Sequence, residues 1–452
     1  MLAQSASVTI SGRILDPQGR PAAIATVTAA RLSYQEGRPT LVPMKTTTTN
    51  DRGEYRLYGL EPGEYFVRAE KDLAAGPARA YFPGSEDAIS ATKVVVSEGS
   101  EMAKTDFSLR SVARVKVSGT VTNVVPGFQN LSSLPGAQNA TQDSVRSALE
   151  AEAAQISRAP QFFLSPMDPG TIYDGLEPLP NALTSAQDRV AGKFELRNVR
   201  SGTYELYAIV QDRSATPPRS YVAHTTIYVG LQDMGGVALT IAPGAEVNGH
   251  VVYMGNASPT ATPVYVQLRP RDVLPKPAIA AGLSALVADD GTFTISNVPE
   301  LRYSLSIGPL PRDAYVADIR LGSRPVFDRG AVTISRQIRD NLDVVIAAPA
   351  GAIRGTVSAS PQELAAGITV TLVPEEGRWE NVALYKRTAV PRSGSFSFSN
   401  VTPGVYKLFA WERIPDGAEQ NAEFIGAYWD MGTEITVTPG NTTAGTVRLI
   451  VK

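Results

Sequence analysis

Asn50-Asp51-Arg52-Gly53-Glu54-Tyr55-Arg56-Leu57, followed closely by Leu60-Glu61-Pro62-Gly63-Glu64-Tyr65-Phe66-Val67, holds the pattern on which the fold depends. Gly53 supplies the positive φ of a tight reversal, and Tyr55 and Leu57 then alternate with polar residues, as on a half-buried strand. Pro62-Gly63 makes a second reversal, after which Tyr65, Val67 and Ala69 form another inward-facing set. The stretch therefore reads strand, turn, strand, turn, strand.

The pattern recurs three times. Gly192-Lys193-Phe194-Glu195-Leu196 precedes Val199-Arg200-Ser201-Gly202-Thr203-Tyr204, and Asp290-Gly291-Thr292-Phe293 precedes Val298-Pro299-Glu300-Leu301-Arg302-Tyr303. The last copy has Ser393-Gly394-Ser395-Phe396-Ser397-Phe398 before Val401-Thr402-Pro403-Gly404-Val405-Tyr406. Ahead of each copy lies an opening strand with a glycine, at Gly12, Gly119, Gly249 and Gly355, giving intervals of 107, 130 and 106 residues. From opening glycine to inward tyrosine the distances are 53, 85, 54 and 51 residues, so the second unit carries an insertion of about 30. A unit of about 100 residues with roughly seven short strands has the size of an immunoglobulin-like sandwich.

These observations predict an all-β chain of four tandem immunoglobulin-like or prealbumin-like β-sandwiches, spanning 1–112, 113–243, 244–349 and 350–452. The second has a partly helical insertion at about 124–187, where Val145, Leu149, Ala153 and Ile156 share one face of the helical-composition stretch Thr141 to Ile156. That insertion reads either as an arm for a partner or as packing that closes an edge of its own sandwich. Linkers of a few residues, at about 110–114, 242–246 and 348–352, predict a semi-rigid rod.

Composition excludes several function classes. The 452 residues contain no cysteine and two histidines, His224 and His250, which are 26 apart and share no ligand-like spacing. Charge is nearly balanced, 42 basic against 44 acidic residues, which gives no electrostatic ground for nucleic acid as a partner. No apolar run reaches the roughly 20 residues of a membrane span. No nucleophile has a base beside it in any motif, so no catalytic residue, cofactor or metal is assigned. Calcium at the Asn50-Asp51 or Asp289-Asp290 turn is set aside, because turn chemistry already accounts for these residues. Met1 to Ala6 have the small-residue character of a signal-peptide cleavage region.

With Gly12-Arg13-Ile14-Leu15-Asp16-Pro17-Gln18-Gly19-Arg20-Pro21 ahead of its two turns, the first unit resembles carboxypeptidase regulatory-like domains, in the transthyretin-like and starch-binding-like group of sandwiches. The other units resemble them with more divergence. The resemblance implies the fold, and a module of the kind appended to peptidases, receptors and surface proteins; it implies little about function. Tyr315 to Gly322 resembles a strand of long secreted bacterial proteins.

Two functions are then expected. One is a non-catalytic structural or adhesive protein, secreted or on a bacterial cell surface, with copies of itself or other surface proteins as partners. The other is a carbohydrate-binding array with polysaccharide as partner. For the second, the residues alternating with the inward tyrosine matter: Phe66, Tyr207, and the pair Phe409 and Trp411, against Ser304 and Ser306 in the third unit. An outward Phe-x-Trp pair is a surface on which a pyranose ring can stack, and Trp429 lies in a nearby long loop. The candidate contacts are Phe66, Tyr207, Phe409, Trp411 and Trp429. The alternative is that a neighbouring module, or the loop holding Tyr428 and Trp429, covers them.

Overall fold

A glycine and an aromatic face each other across one strand pair in every unit. The structure, a computed structural model, describes residues 8–73, 76–97, 101–102, 104–111, 114–125, 160–167, 172–174, 192–212, 215, 218–258, 262–271 and 283–451. In it the opening strands Val8–Leu15, Val115–Asn123, Ala245–Gly255 and Gly351–Ser358 pair antiparallel with Glu54–Leu60, Lys193–Val199, Thr292–Val298 and Ser395–Val401. Their registers align Gly12 with Tyr55, Gly119 with Phe194, Gly249 with Phe293 and Gly355 with Phe396. A Cβ on Gly249 would stand 2.2 Å from the Phe293 ring, and one on Gly355 2.5 Å from that of Phe396. In the last three units the glycine is the space into which the aromatic packs, so each motif requires the other; in the first, a Cβ on Gly12 would instead meet Thr105 O at 2.5 Å, the carbonyl that accepts from the Tyr55 hydroxyl.

Every one of these pairs also carries a bulge, just before the apolar residue that closes the register. Gly59, Asn198, Asn297 and Asn400 occupy it with φ of 71°, 64°, 55° and 51°. Glycine and asparagine are the residues that enter this left-handed region at least cost.

The opening strand has a parallel neighbour on its other side. It is Met234–Ile241, Leu342–Ala348 or Thr442–Ile450 in the last three units, and the short strands Glu101–Met102 and Phe107–Ser108 in the first. The second sheet of each sandwich is built on the strand after the second turn: Gly63–Leu73, Gly202–Asp212, Arg302–Gly308 or Gly404–Trp411. In the fourth unit Ala410 and Trp411 pair with Leu449 and Ile450, which joins its two sheets edge to edge. Gly63, Gly202 and Gly404 enter these strands at φ of 150°, 152° and 153°, the strained geometry expected of the second turn.

The inward tyrosines close the cores. Tyr65, Tyr303 and Tyr406 are buried, and each hydroxyl donates to the backbone carbonyl four residues earlier: Glu61 at 2.7 Å, Pro299 at 2.8 Å and Thr402 at 2.7 Å. This ties each turn to the strand it feeds. Burial pushes the Tyr406 phenol up to about 12. The four units are thus sandwiches, and apart from two short helices, Pro361–Ala366 and Ala422–Gly426, the described residues are strands, single turns and loops. No helix among them is long and apolar enough to cross a membrane.

Two expectations need correction or refinement. Residues 141–156 and 1–6 lie outside the described residues. The described part of the insertion closes an edge of its own sandwich and also reaches the first unit of the same chain. Gln161–Pro166 pairs with Gly202–Asp212 as an edge of its own sandwich. Tyr173–Asp174 then pairs in parallel with Thr40 and Leu41 of the first unit. The rod is not formed either. The hairpin tip of the first unit packs on the fourth, where Tyr34 N donates to Asp416 O at 2.7 Å and Asn421 Nδ2 to Gly37 O at 2.8 Å. Short linkers limit how far neighbours separate, but not the direction in which the array bends.

Candidate functional site

Phe409 and Trp411 face away from the core of the fourth unit, as alternation requires, since Tyr406, Leu408 and Ala410 fill that core. They are nevertheless buried, at 0% and 2% exposure. Their cover is the segment that follows them in the chain. Asn421 caps the helix Ala422–Gly426, its side chain accepting from Phe424 N at 2.7 Å, and this short turn lowers Phe424, Ile425 and Tyr428 onto the sheet. Trp411 meets Tyr428 edge-on at 5.1 Å and stacks on Phe409 at 5.5 Å, while its indole donates to Thr371 Oγ1 at 2.9 Å. An exposed Phe409–Trp411 platform is therefore corrected. Each ring buries roughly 150–250 Å² on being covered, which favours cover over exposure.

Trp429 stays half-buried at the rim. It lies edge-on to Trp379 at 5.0 Å, and Lys407 Nζ stands 4.5 Å over its ring while donating to Trp429 O at 2.9 Å. All three tryptophans of the chain thus gather in one cluster, and only Trp379 and Trp429 reach solvent. Trp379 was not singled out from sequence, because its position lies in a single-turn helix outside the repeated strands.

Phe66 and Tyr207 are also buried, each by a different cover. Phe66 lies under the turn bearing Ala88 and Ala91, and beside Ile172 from the insertion of the second unit. Tyr207 stacks on Phe163 at 4.7 Å and, with Ile209 and Val222, joins the apolar cluster of the third unit. Exposure of these two is corrected on the same ground. In the third unit Ser304 and Ser306 replace the aromatics; Ser304 is buried, but farther across the face Tyr265 and Leu286 are 47% and 52% exposed.

Polar contacts fasten the units. Arg200 pairs with Asp87 at 2.8 Å between the first and second. His224 Nε2 meets Glu300 O at 2.7 Å, and Asn297 Nδ2 donates to Ser220 O at 3.1 Å, between the second and third. Asn381 Nδ2 donates to Phe327 O at 2.7 Å, and Arg271 to Glu380 O at 2.6 Å, between the third and fourth. With the Tyr34–Asp416 contact, the four units close into a cycle. Ser33 and Gly37 at the hairpin tip fit against Asp416 and Gln420 closely enough that a Cβ on Gly37 would stand 2.4 Å from Gln420 O.

The remaining titratable groups serve local structure. Asp290 Oδ1 accepts from Thr292 N and Oγ1, and the Thr292 hydroxyl holds its carboxyl below the usual range. Asn50 Oδ1 accepts from Arg52 N and Glu54 N, so one side-chain oxygen of each turn is engaged locally. Among the described residues no three His, Asp or Glu side chains gather in a way that could hold a metal ion. His250 contacts Asp290 O at 3.0 Å.

The fold and these surfaces define a protein built of packed β-sandwich modules. Residues 9–110 match the model of the carboxypeptidase regulatory-like domain, in agreement with the resemblance that the first unit's sequence carries. Residues 349–445 match a different model, domain II of polysaccharide lyase family 4. Among solved structures, the chain is similar to the Bacillus anthracis TIE protein at 10% identity, over 99% of this chain and 75% of that one, with a TM-score of 0.16. It is similar to BcpA, the major pilin subunit of Bacillus cereus, at 12% identity over 75% and 99%, with a TM-score of 0.18. For the full-length major pilin SpaD from Corynebacterium diphtheriae the values are 12%, 77%, 97% and 0.17. No curated protein matches the sequence.

Proposed function

We propose that this is a non-catalytic structural or adhesive protein working outside the cytoplasm, in which four sandwiches act as one body. The observation that supports it most is the use made of the outward aromatics. Phe66, Tyr207, Phe409 and Trp411 are packed under covering segments and against a neighbouring unit, so none of the four presents its ring to solvent. A protein organised this way offers shape and surface. The partners it fits are copies of itself or other surface proteins. Sedimentation over a wide concentration range, together with adhesion of protein-coated beads to cells, tests this reading. A strictly monomeric protein whose beads adhere no better than albumin-coated ones would overturn it.

A second reading is favoured by one observation. Trp379 and Trp429 form a half-exposed aromatic pair flanked by Lys407, within the segment matched by the polysaccharide lyase domain model. Stacking on such a pair gives affinities on the order of high micromolar to millimolar. A polysaccharide screen on the full chain, read by tryptophan fluorescence with Trp429→Ala as control, decides it. No response to any glycan removes this reading and leaves the first.

A further inference from the structure

We propose that the junction between the second and third sandwiches is a proton-gated latch, closed by a shared proton on His224 and loosened when that proton leaves. His224 projects from Arg219–Val229 with its ring 5.6 Å from that of Tyr207. Its Nδ1 lies 2.5 Å from Glu205 Oε1, and its Nε2 lies 2.7 Å from the backbone oxygen of Glu300 in the next unit. Both groups facing the ring are acceptors. A neutral imidazole has one N–H, whereas the imidazolium has two, so both contacts are satisfied together only while the His224–Glu205 pair carries the extra proton. Glu205 Oε2 meanwhile accepts from Thr226 Oγ1 at 2.7 Å, which suits an ionised carboxylate.

The geometry also decides which contact fails on deprotonation. A carboxylate is a stronger acceptor than a peptide oxygen, so the remaining proton stays on Nδ1 and Nε2 presents a lone pair to Glu300 O. The bond lost is the one that crosses the junction. The other charged and titratable groups here are few. Tyr207 lies under the ring, and the Glu300 carboxylate is drawn off toward Arg336 Nε at 3.6 Å. The polar bond from Asn297 to Ser220 carries no titratable group, and it persists.

The pKa directions agree. The hydrogen bond to Glu205 raises His224 above its ordinary 6.5, against the effect of burial. For Glu205, burial acts upward but is outweighed by the hydrogen bonds from His224 and Thr226, which leave it below 4.5. The His224 contribution is full below 6.5 and lost as pH rises through the raised value. The Glu205 contribution is full above 4.5 and lost as pH falls through the lowered one. The His224–Glu205 pair is therefore fully formed between 4.5 and 6.5, and the bond that crosses the junction is lost as pH rises through the raised His224 value.

Having two histidines, the full chain gives two imidazole signals in an NMR titration, with His250 as internal reference. The His224 midpoint is expected above 6.5, the ordinary value. In step with it, protection of the amides at 220–226 and 300–301, taken relative to the intrinsic exchange rate at each pH, is expected to fall about tenfold, as loss of one charge-assisted hydrogen bond implies. His224→Gln should abolish that step, and Glu205→Gln should lower the His224 midpoint. A midpoint at or below 6.5 would overturn the proposal, as would a midpoint indifferent to Glu205→Gln. An exchange profile of His224→Gln identical to that of the parent would do the same. Should His224→Gln fail to fold, the parent titration and the Glu205 variant still decide.

Discussion

The third and fourth sandwiches share their opening strand, Gly–aromatic pair, bulge and tyrosine corner, yet their outer faces differ. The fourth places Phe409 and Trp411 on the strand after its second turn, and its own chain folds back to cover them. The third places Ser304 and Ser306 there, and the face stays open to solvent around Tyr265 and Leu286. The first and second units follow the fourth, with Phe66 and Tyr207 covered by a turn and by a neighbour. In this molecule an outward aromatic at that position marks a face that something packs on. The same residues that look like a ligand platform in isolation are the attachment points that hold the array together.

Trp411→Ala breaks this comparison hardest. It removes a buried ring and leaves Tyr428, Phe424 and Phe409 without their common neighbour, at a cost of about 3–5 kcal/mol. Ser306→Ala in the third unit should stay within about 0.5 kcal/mol, the range of an ordinary surface change. Chemical denaturation of both variants measures the contrast, and equal effects would end it. Next in size is the turn glycine. Gly404→Val places a Cβ 2.5 Å from Arg378 Nη1 at a φ of 153°, for about 1–3 kcal/mol. The matching residue of the third unit is Leu301, which lies outside the positive-φ region, so no such strain is stored there.

Smaller again is the tyrosine corner, where the two units should agree. Tyr303→Phe and Tyr406→Phe each lose one buried donor to a carbonyl, for about 0.5–1.5 kcal/mol. A large difference between them would show that the corner is not equivalent in the two sandwiches. The smallest effect is none. Chelation by EDTA should leave the thermal midpoint unchanged, because Asp290 Oδ1 and Asn50 Oδ1 accept within their own turns and no metal-ligand cluster lies among the described residues. A drop of several degrees would mean that a cation is held there.

The repeat was legible because its causes are local. A turn glycine, an aromatic two residues on and a Pro-Gly before an inward tyrosine each follow from backbone sterics and the two-residue period of a strand. One further local signal marks the bulge: Asn-Val at 198–199, 297–298 and 400–401, with Gly59-Leu60 in the first unit. The cover over Phe409 and Trp411 was visible only as a loop with Tyr428 and Trp429 in it, since a short capped helix beside a strand has no fixed direction in sequence.

By itself, the sequence determined the four sandwiches and their inward and outward faces, which depend on residues close in the chain or on strand alternation. Only the tertiary structure decided what lies against each outward face. Tyr34 and Asp416 meet across hundreds of residues, and His224 faces two acceptors from different strands and units. Burial of apolar surface is non-directional, so an exposed aromatic states that cover is favourable without naming what supplies it. Docking geometry, summed over the whole molecule, supplies that answer.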